Sequence, residues 1–66
     1  MLRINKMSDY GMLILGDLVL KKDTYVSATE IASSTHISLP TVQKLLKKLH
    51  KKELVISKQG PQGGYA

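Results

Sequence analysis

The chain of 66 residues contains no cysteine. It therefore offers no disulfide framework, no thiolate nucleophile and no cysteine ligands for zinc or an iron–sulfur cluster. The apolar fraction of 42% is ordinary for a globular domain. At this length the sequence holds one small domain or a piece of one, because a second hydrophobic core would not fit.

Long hydrophobic runs are also missing. The longest apolar stretch, residues 12–20, is interrupted by Gly16 and Asp17, whereas a membrane-spanning helix needs about 20 apolar residues. A signal peptide is not indicated either, because Asp9 lies among the first basic residues and no small-residue cleavage site follows the apolar stretch. We therefore expect no membrane association and a cytoplasmic location.

Acidic residues are scarce in the last third of the chain. Residues 1–43 hold four basic and four acidic side chains, whereas residues 44–66 hold six lysines and one glutamate. The whole formal net charge of +5 therefore falls in that last third. A one-sided basic surface is typical of a protein whose partner carries regularly spaced phosphates. The charge distribution favours binding over catalysis.

The apolar spacing predicts a first helix that ends near Leu20 and is capped by Asn5 or Ser8. A polar link follows, and Tyr25 and Val26 then form a short extended segment packed on the core. We expect the Tyr25 ring to be a core aromatic with a solvated hydroxyl group.

Two further helices are predicted, and a turn separates them. Ser27 and Glu30 match the capping box, in which two side chains satisfy backbone groups at the start of a helix. Ser38 is expected to cap a third helix over residues 38–52. Pro40 lies in its first turn, where a missing N–H group removes no hydrogen bond within the helix.

The third helix is amphipathic, with a basic outer face. Because successive residues are about 100° apart, its aliphatic and lysine rows centre nearly opposite each other, and burial of the first exposes the second. The aliphatic row is Val42, Leu45, Leu46 and Leu49, and the basic row is Lys44, Lys47, Lys48 and Lys51. A solvated helix face with no partner is the alternative interpretation of these lysines.

The C-terminal part of the chain predicts a small β-hairpin. The β-branched residues in 54–58 indicate a strand, residues 59–64 are turn formers, and residues 65–66 begin a returning strand. The predicted fold is therefore mainly α with a small β-hairpin. It is a winged helix-turn-helix of three helices plus an incomplete wing, and it forms one domain over residues 1–66.

The spacing between the second and third helices matches a helix-turn-helix. His36 follows the small residue Ala32 by four positions, and the aliphatic residues Val42 and Leu45 follow Ala32 by ten and thirteen. Glycine is usual at the turn, and histidine is one of the other residues enriched at positive φ. The pattern predicts that the third helix packs across the second and reads DNA.

The start of the third helix carries the candidates for base contacts, because this end of a recognition helix lies against the base edges in the major groove. Gln43 can pair with adenine, Thr41 can contact a thymine methyl group, and Lys44 can reach guanine or a phosphate. Ser38 and Pro40 are exposed at the same end of the predicted helix.

Other residues are suited to phosphates. Lys47, Lys48 and Lys51 lie farther along the helix, where they add affinity without sequence information. Backbone N–H groups near Ser27 and Thr29, at the start of the second helix, can anchor another phosphate.

The sequence resembles the Rrf2 family of bacterial winged-helix transcription regulators, especially the regulators of iron–sulfur cluster assembly (SUF-type) operons. The most specific matches are GPQGGY at residues 60–65 and ISL at residues 37–39, and the resemblance covers all 66 residues. It implies a homodimer that reads a near-palindromic operator, with the recognition helix in the major groove and the wing at the minor groove.

The resemblance implies DNA contacts by residues at both the recognition helix and the wing. These are Ser38, Pro40, Thr41, Gln43 and Lys44 on the helix, and Gln59, Gly60 and Gly63 in the wing. Tyr65 is expected either to pack on the hairpin or to contact the DNA backbone. Gln59 stands where the family usually has an arginine, and this removes the guanidinium group best suited to a narrow minor groove.

The family's long dimerisation helix and its three-cysteine cluster segment have no counterpart in these 66 residues. We therefore expect no cofactor in this chain and, at most, a weak homodimer. The leading hypothesis is sequence-specific binding of double-stranded DNA as part of a bacterial regulator, most simply a repressor. The alternative is a winged-helix protein-interaction module that has lost DNA binding. An enzyme ranks last, because no nucleophile–base pair, carboxylate dyad or metal cage is visible.

Overall fold

A computed structural model describes residues 6–66. Three helices precede a two-stranded antiparallel hairpin, and each helix packs against the other two. The elements in chain order are α1 (Lys6–Leu20), α2 (Ala28–Thr35), α3 (Leu39–Lys51), β1 (Ser57–Lys58) and β2 (Gly64–Tyr65). This mostly helical architecture with a small hairpin confirms the predicted fold class. Within residues 6–66, no helix is long and apolar enough to cross a membrane.

Helix α1 places one apolar face inward. Ile14 and Leu18 are buried, which agrees with the helical spacing that predicted this element. The capping prediction for Ser8 is wrong, because the helix already includes Lys6 and Ser8 therefore lies inside it. The other capping candidate, Asn5, lies outside the described residues.

Helix α2 starts at the predicted Ser27 cap, but only half of the capping box forms, because among the described residues the Glu30 carboxylate accepts no hydrogen bond from the Ser27 N–H group. Ser27 has extended backbone angles, and its hydroxyl oxygen accepts a hydrogen bond from the Glu30 N–H group at 3.1 Å. The helix ends at Thr35, and His36 follows with φ 60° and ψ 27° in the left-handed region. This backbone reversal at His36 lets the chain turn from α2 into α3, as the helix-turn-helix spacing requires.

Helix α3 begins where predicted, but Ser38 does not cap it with its side chain. Its hydroxyl group donates instead to the Thr41 hydroxyl oxygen at 2.9 Å, while its carbonyl accepts the Val42 N–H at 3.0 Å. Ser38 is therefore the N-cap residue, as predicted, but it caps the helix through its backbone carbonyl and without a side-chain hydrogen bond. Pro40 lies in the first turn, as expected.

The core is entirely aliphatic at its centre, and within residues 6–66 no polar or charged side chain is buried. Its buried members come from every helix and from three connecting segments: the one before α2, the turn after α2 and the one before β1. They are Ile14, Leu18, Val26, Ile31, Ile37, Val42, Leu45, Leu46 and Val55. Tyr10 is partly buried against this core. The prediction that Tyr25 is a core aromatic was wrong, since its side chain is 37% exposed.

The first wing strand is shorter than predicted. Regular pairing starts only at Ser57, because Glu53 takes a left-handed φ of 61° and the chain reverses direction there after α3. Val55 then enters the core, while Leu54 and Ile56 are each 57% exposed.

The returning strand is present and paired. Ser57 lies opposite Tyr65, and Lys58 lies opposite Gly64. Ile56 and Ala66 exchange two backbone hydrogen bonds of 2.9 and 3.1 Å, which extend the ladder beyond the regular strands. The hairpin that the sequence predicted as an incomplete wing therefore has two paired arms.

The hairpin is also tied to the segment before α2. Val26 and Tyr65 form an antiparallel bridge with backbone hydrogen bonds of 2.8 and 2.7 Å. Gly64 makes this close approach possible, because a Cβ atom there would collide with the Val26 carbonyl. Gly63 instead permits close packing within the hairpin, where a Cβ atom would collide with the Lys58 carbonyl.

Candidate nucleic-acid interface

The outer face of α3 presents its lysines to solvent, as the sequence predicts. Lys44, Lys47, Lys48 and Lys51 are all exposed. None of them forms a salt bridge with a carboxylate in residues 6–66, whereas Lys21 pairs with Asp17 at 3.2 Å. Val42, Leu45 and Leu46 are buried on the opposite side of the same helix. The charge of this face is therefore available to a partner.

This basic face has a different neighbour on each flank. On one flank, Lys48 and Lys52 border a groove of about 450 Å³ between α3 and α1, with Met12 on the α1 side. On the other flank, the Nε2 atom of His50 lies 3.3 Å from the Ser57 hydroxyl oxygen at the start of β1. The lysines thus occupy a strip between the first helix and the hairpin.

The start of α3 brings together the residues predicted to contact bases. Ser38, Pro40, Gln43 and Lys44 are exposed. Thr41 is half-buried, and its hydroxyl oxygen accepts the Ser38 hydrogen bond. Of this set, Thr41 is therefore the least accessible to a partner.

At the start of α2, the two predicted residues differ in accessibility. Thr29 is exposed, whereas Ser27 is half-buried and its hydroxyl oxygen is occupied by the Glu30 N–H group. The first N–H groups of a helix have no acceptor within the helix. A phosphate at this position can therefore accept hydrogen bonds from these backbone N–H groups.

In the wing, Gln59 and Gly60 are exposed at the turn, as predicted for residues that contact a partner. Gly63 is half-buried against the backbone of Lys58, so its role is to permit close packing. Tyr65 is half-buried and packs against the core, and its contact with the DNA backbone stays a prediction.

Sequence reasoning missed Lys58 as a candidate contact residue. It is exposed at the end of β1, and its Nζ atom lies 5.5 Å from the centre of the Tyr25 ring. The signal that could have found it was already in the sequence, because Lys58 is the sole charged residue among residues 55–66.

A helix-turn-helix with a basic outer face and a hairpin beside it defines a winged helix-turn-helix domain. The chain is similar in structure to CymR (YrzC), the global cysteine regulator of B. subtilis, with a TM-score of 0.89 and 31% sequence identity. This similarity covers 100% of the present chain and 52% of CymR.

The chain belongs to the Rrf2 family. A model of that family, described as "Iron-dependent Transcriptional regulator", matches residues 4–66. The match therefore takes in all three helices and the hairpin, and it confirms the family resemblance noted in the sequence.

Curated relatives carry the same kind of name. A putative HTH-type transcriptional regulator of Aquifex aeolicus is 35% identical over 86% of this chain and 40% of its own length. BadM of Rhodopseudomonas palustris, a putative HTH-type transcriptional regulator, is 36% identical over 97% of this chain and 41% of its own length. The HTH-type transcriptional regulator IscR of Cereibacter sphaeroides is 34% identical over 97% of this chain and 43% of its own length. The chain thus spans less than half the length of these three curated relatives.

The family description mentions iron, and the residues of this chain do not fit a cluster site. The sequence supplies no cysteine thiolate. Within residues 6–66, no group of three or more histidine, aspartate or glutamate side chains lies close enough to hold a metal ion. The chemistry available to this surface is the binding of a polyanion by ammonium and amide groups.

Proposed function

We propose that this chain is the DNA-binding part of a bacterial transcriptional regulator and binds double-stranded DNA sequence-specifically. The observation that carries the proposal is the exposed lysine row on α3, which lies on the opposite side of the helix from a buried aliphatic row. Its support from relatives is that several carry the name of HTH-type transcriptional regulator.

In this proposal, α3 lies in the major groove with its first turns against base edges. The Gln43 amide pairs with an adenine, and Lys44 reaches guanine or a nearby phosphate. Lys47 and Lys51 bind phosphates farther along the helix. Lys48 binds a phosphate of the DNA strand nearest α1, because it borders the protein groove between α3 and α1.

The hairpin lies beside the recognition helix and approaches the neighbouring minor groove. Gln59 and Gly60 lead this approach, since both are exposed at the turn. Glutamine has no charge to place in a narrow minor groove. Wing contacts by these two residues therefore add less discrimination between narrow and wide grooves than an arginine would.

The wider proposal concerns the whole regulator. We infer a non-catalytic protein of the cytoplasm that represses transcription by occupying a near-palindromic operator as a homodimer. In this proposal the stretch of 66 residues works without a metal or cluster of its own, since it supplies no cysteine.

The test is a titration of fluorescently labelled duplexes, first selected from a random pool, at several salt concentrations between about 50 and 200 mM. If about four phosphates are neutralised, log K falls against log[salt] with a slope of about −3 to −4. A scrambled duplex is the control for specificity. Equal binding of the selected and scrambled duplexes would contradict sequence-specific recognition.

A second candidate function is a protein-interaction module. The observation that favours it is the exposed apolar side of α1, where Met12 and Val19 are each 70% exposed and Leu20 is 85% exposed. No duplex binding at the lowest salt concentration, together with a stable complex with another protein, would establish this candidate over the first.

A further inference from the structure

Lys58 is the sole charged residue of the wing, taken as residues 55–66. It ends β1, immediately before the exposed turn that begins at Gln59. Electrostatic attraction between a charged side chain of the wing and DNA must therefore act through Lys58.

The pleat of the hairpin decides which way Lys58 points. Successive residues of a strand face opposite sides of a sheet. Ser57 faces α3, because its hydroxyl oxygen lies 3.3 Å from His50 Nε2. Lys58 consequently lies on the outer side of the hairpin, and there its Nζ atom sits 5.5 Å from the centre of the Tyr25 ring.

The tyrosine ring restricts the lysine without neutralising it. An ammonium group is attracted to the face of an aromatic ring, and the contact leaves the full positive charge in place. Lys58 is exposed, so its ammonium group stays in contact with solvent. Ordering a flexible four-carbon side chain before binding lowers the entropy lost when it meets a partner.

We propose that Lys58, held over the Tyr25 ring, is the wing's contact to a DNA backbone phosphate. The inference rests on the proposed function. A lysine is a compact point charge suited to a phosphate. A shift of one residue along a strand moves a side chain to the other face. Lys58 therefore does not replace an arginine at position 59, and it approaches the DNA backbone and not the floor of the minor groove.

The experiment compares the salt dependence of duplex binding for the full 66-residue chain and four variants. Lys58→Gln should bind the selected and scrambled duplexes more weakly by the same factor, with a slope shallower by about 0.9, since one phosphate contact is lost. Lys58→Arg should keep the slope. Tyr25→Phe should match the unmodified chain, whereas Tyr25→Leu should weaken binding and leave the slope unchanged, because the charge is retained but not ordered.

Lys6→Gln is the matched control, because the Lys6 Nζ atom lies 5.7 Å from the Tyr10 ring in a similar pair outside the wing. Its slope should equal that of the unmodified chain. Circular dichroism checks that each variant is folded.

Three results would overturn the inference separately. An unchanged salt slope in Lys58→Gln would show that Lys58 makes no phosphate contact. A loss of affinity confined to duplexes with A-tract flanks would assign Lys58 to the minor groove instead. Equal affinity of Tyr25→Leu and the unmodified chain would remove the positioning role of the ring. If the unmodified chain itself binds no duplex, the proposed function fails first, and that result is visible before any variant is compared.

Discussion

At the scale of single residues, a few backbone positions hold the recognition helix and the wing in place. His36 adopts left-handed angles between α2 and α3, and the prediction of this turn from helix-turn-helix spacing was confirmed. The glycines of the wing have a different role. Gly64 combines a φ of 151° with close contact to the Val26 backbone.

Gly64→Ala should destabilise the chain strongly, because the new methyl group meets backbone atoms that cannot move aside. We expect a loss of about 2 kcal/mol or more in the free energy of unfolding, from strain and overpacking together. Gly60→Ala is the matched control. Its φ is also positive, at 107°, but open space surrounds the added Cβ atom, and we expect a loss of about 1 kcal/mol.

Urea denaturation followed by circular dichroism measures both losses. If the two variants unfold at the same urea concentration, contact with the Val26 carbonyl is not what requires glycine at position 64.

Other single-residue features could not be predicted from the sequence, because they depend on contacts with distant parts of the chain or on side-chain orientation. The hydroxyl partner of Ser38 depends on where the Thr41 side chain points, and the spacing alone allowed either a cap or this bond. The exposure of Tyr25 depends on the hairpin, which places Lys58 and not the core beneath its ring. Local pattern gives the candidates, and tertiary contacts select among them.

At the scale of elements, α3 was the most predictable part, because its helical period separates aliphatic from lysine residues without help from the rest of the chain. Strand β1 was the least predictable. The β-branched residues before it indicated a longer strand, but after the left-handed residue Glu53 the regular strand begins only at Ser57. The candidate site was therefore predicted best where it lies on α3 and least well in the wing.

Gln43→Ala and Lys47→Ala separate the two kinds of contact assigned to α3. Gln43→Ala should relax discrimination at one base position by about 1–3 kcal/mol and leave the salt slope unchanged. Lys47→Ala should weaken all duplexes alike and make the slope shallower by about 0.9. Anisotropy titrations over a panel of single-base operator variants measure both effects. If the two substitutions behave identically across the panel, the assigned roles are wrong.

At the scale of the whole molecule, the described residues form a core of aliphatic side chains with one strongly basic side. The charge asymmetry and the helix-turn-helix spacing together gave the architecture from sequence. What they did not give is the tie between the wing and the segment before α2, because a bridge between residues 26 and 65 leaves no local pattern.

The isolated chain should be monomeric or only weakly associated at tens of micromolar. A stable protein interface buries about 1,200–2,000 Å², whereas the apolar side of α1 offers a few exposed residues such as Met12, Val19 and Leu20. Sedimentation equilibrium measures the mass directly. A tight dimer would contradict this expectation, and a monomer should bind a single operator half-site weakly.

The bridge between Val26 and Tyr65 closes the chain into a ring that contains both α2 and α3. Backbone hydrogen bonds close this ring, so the docked hairpin limits how far the loop before α2 can move. We therefore expect melting of the hairpin to release that loop as well and to weaken the packing of both helices together.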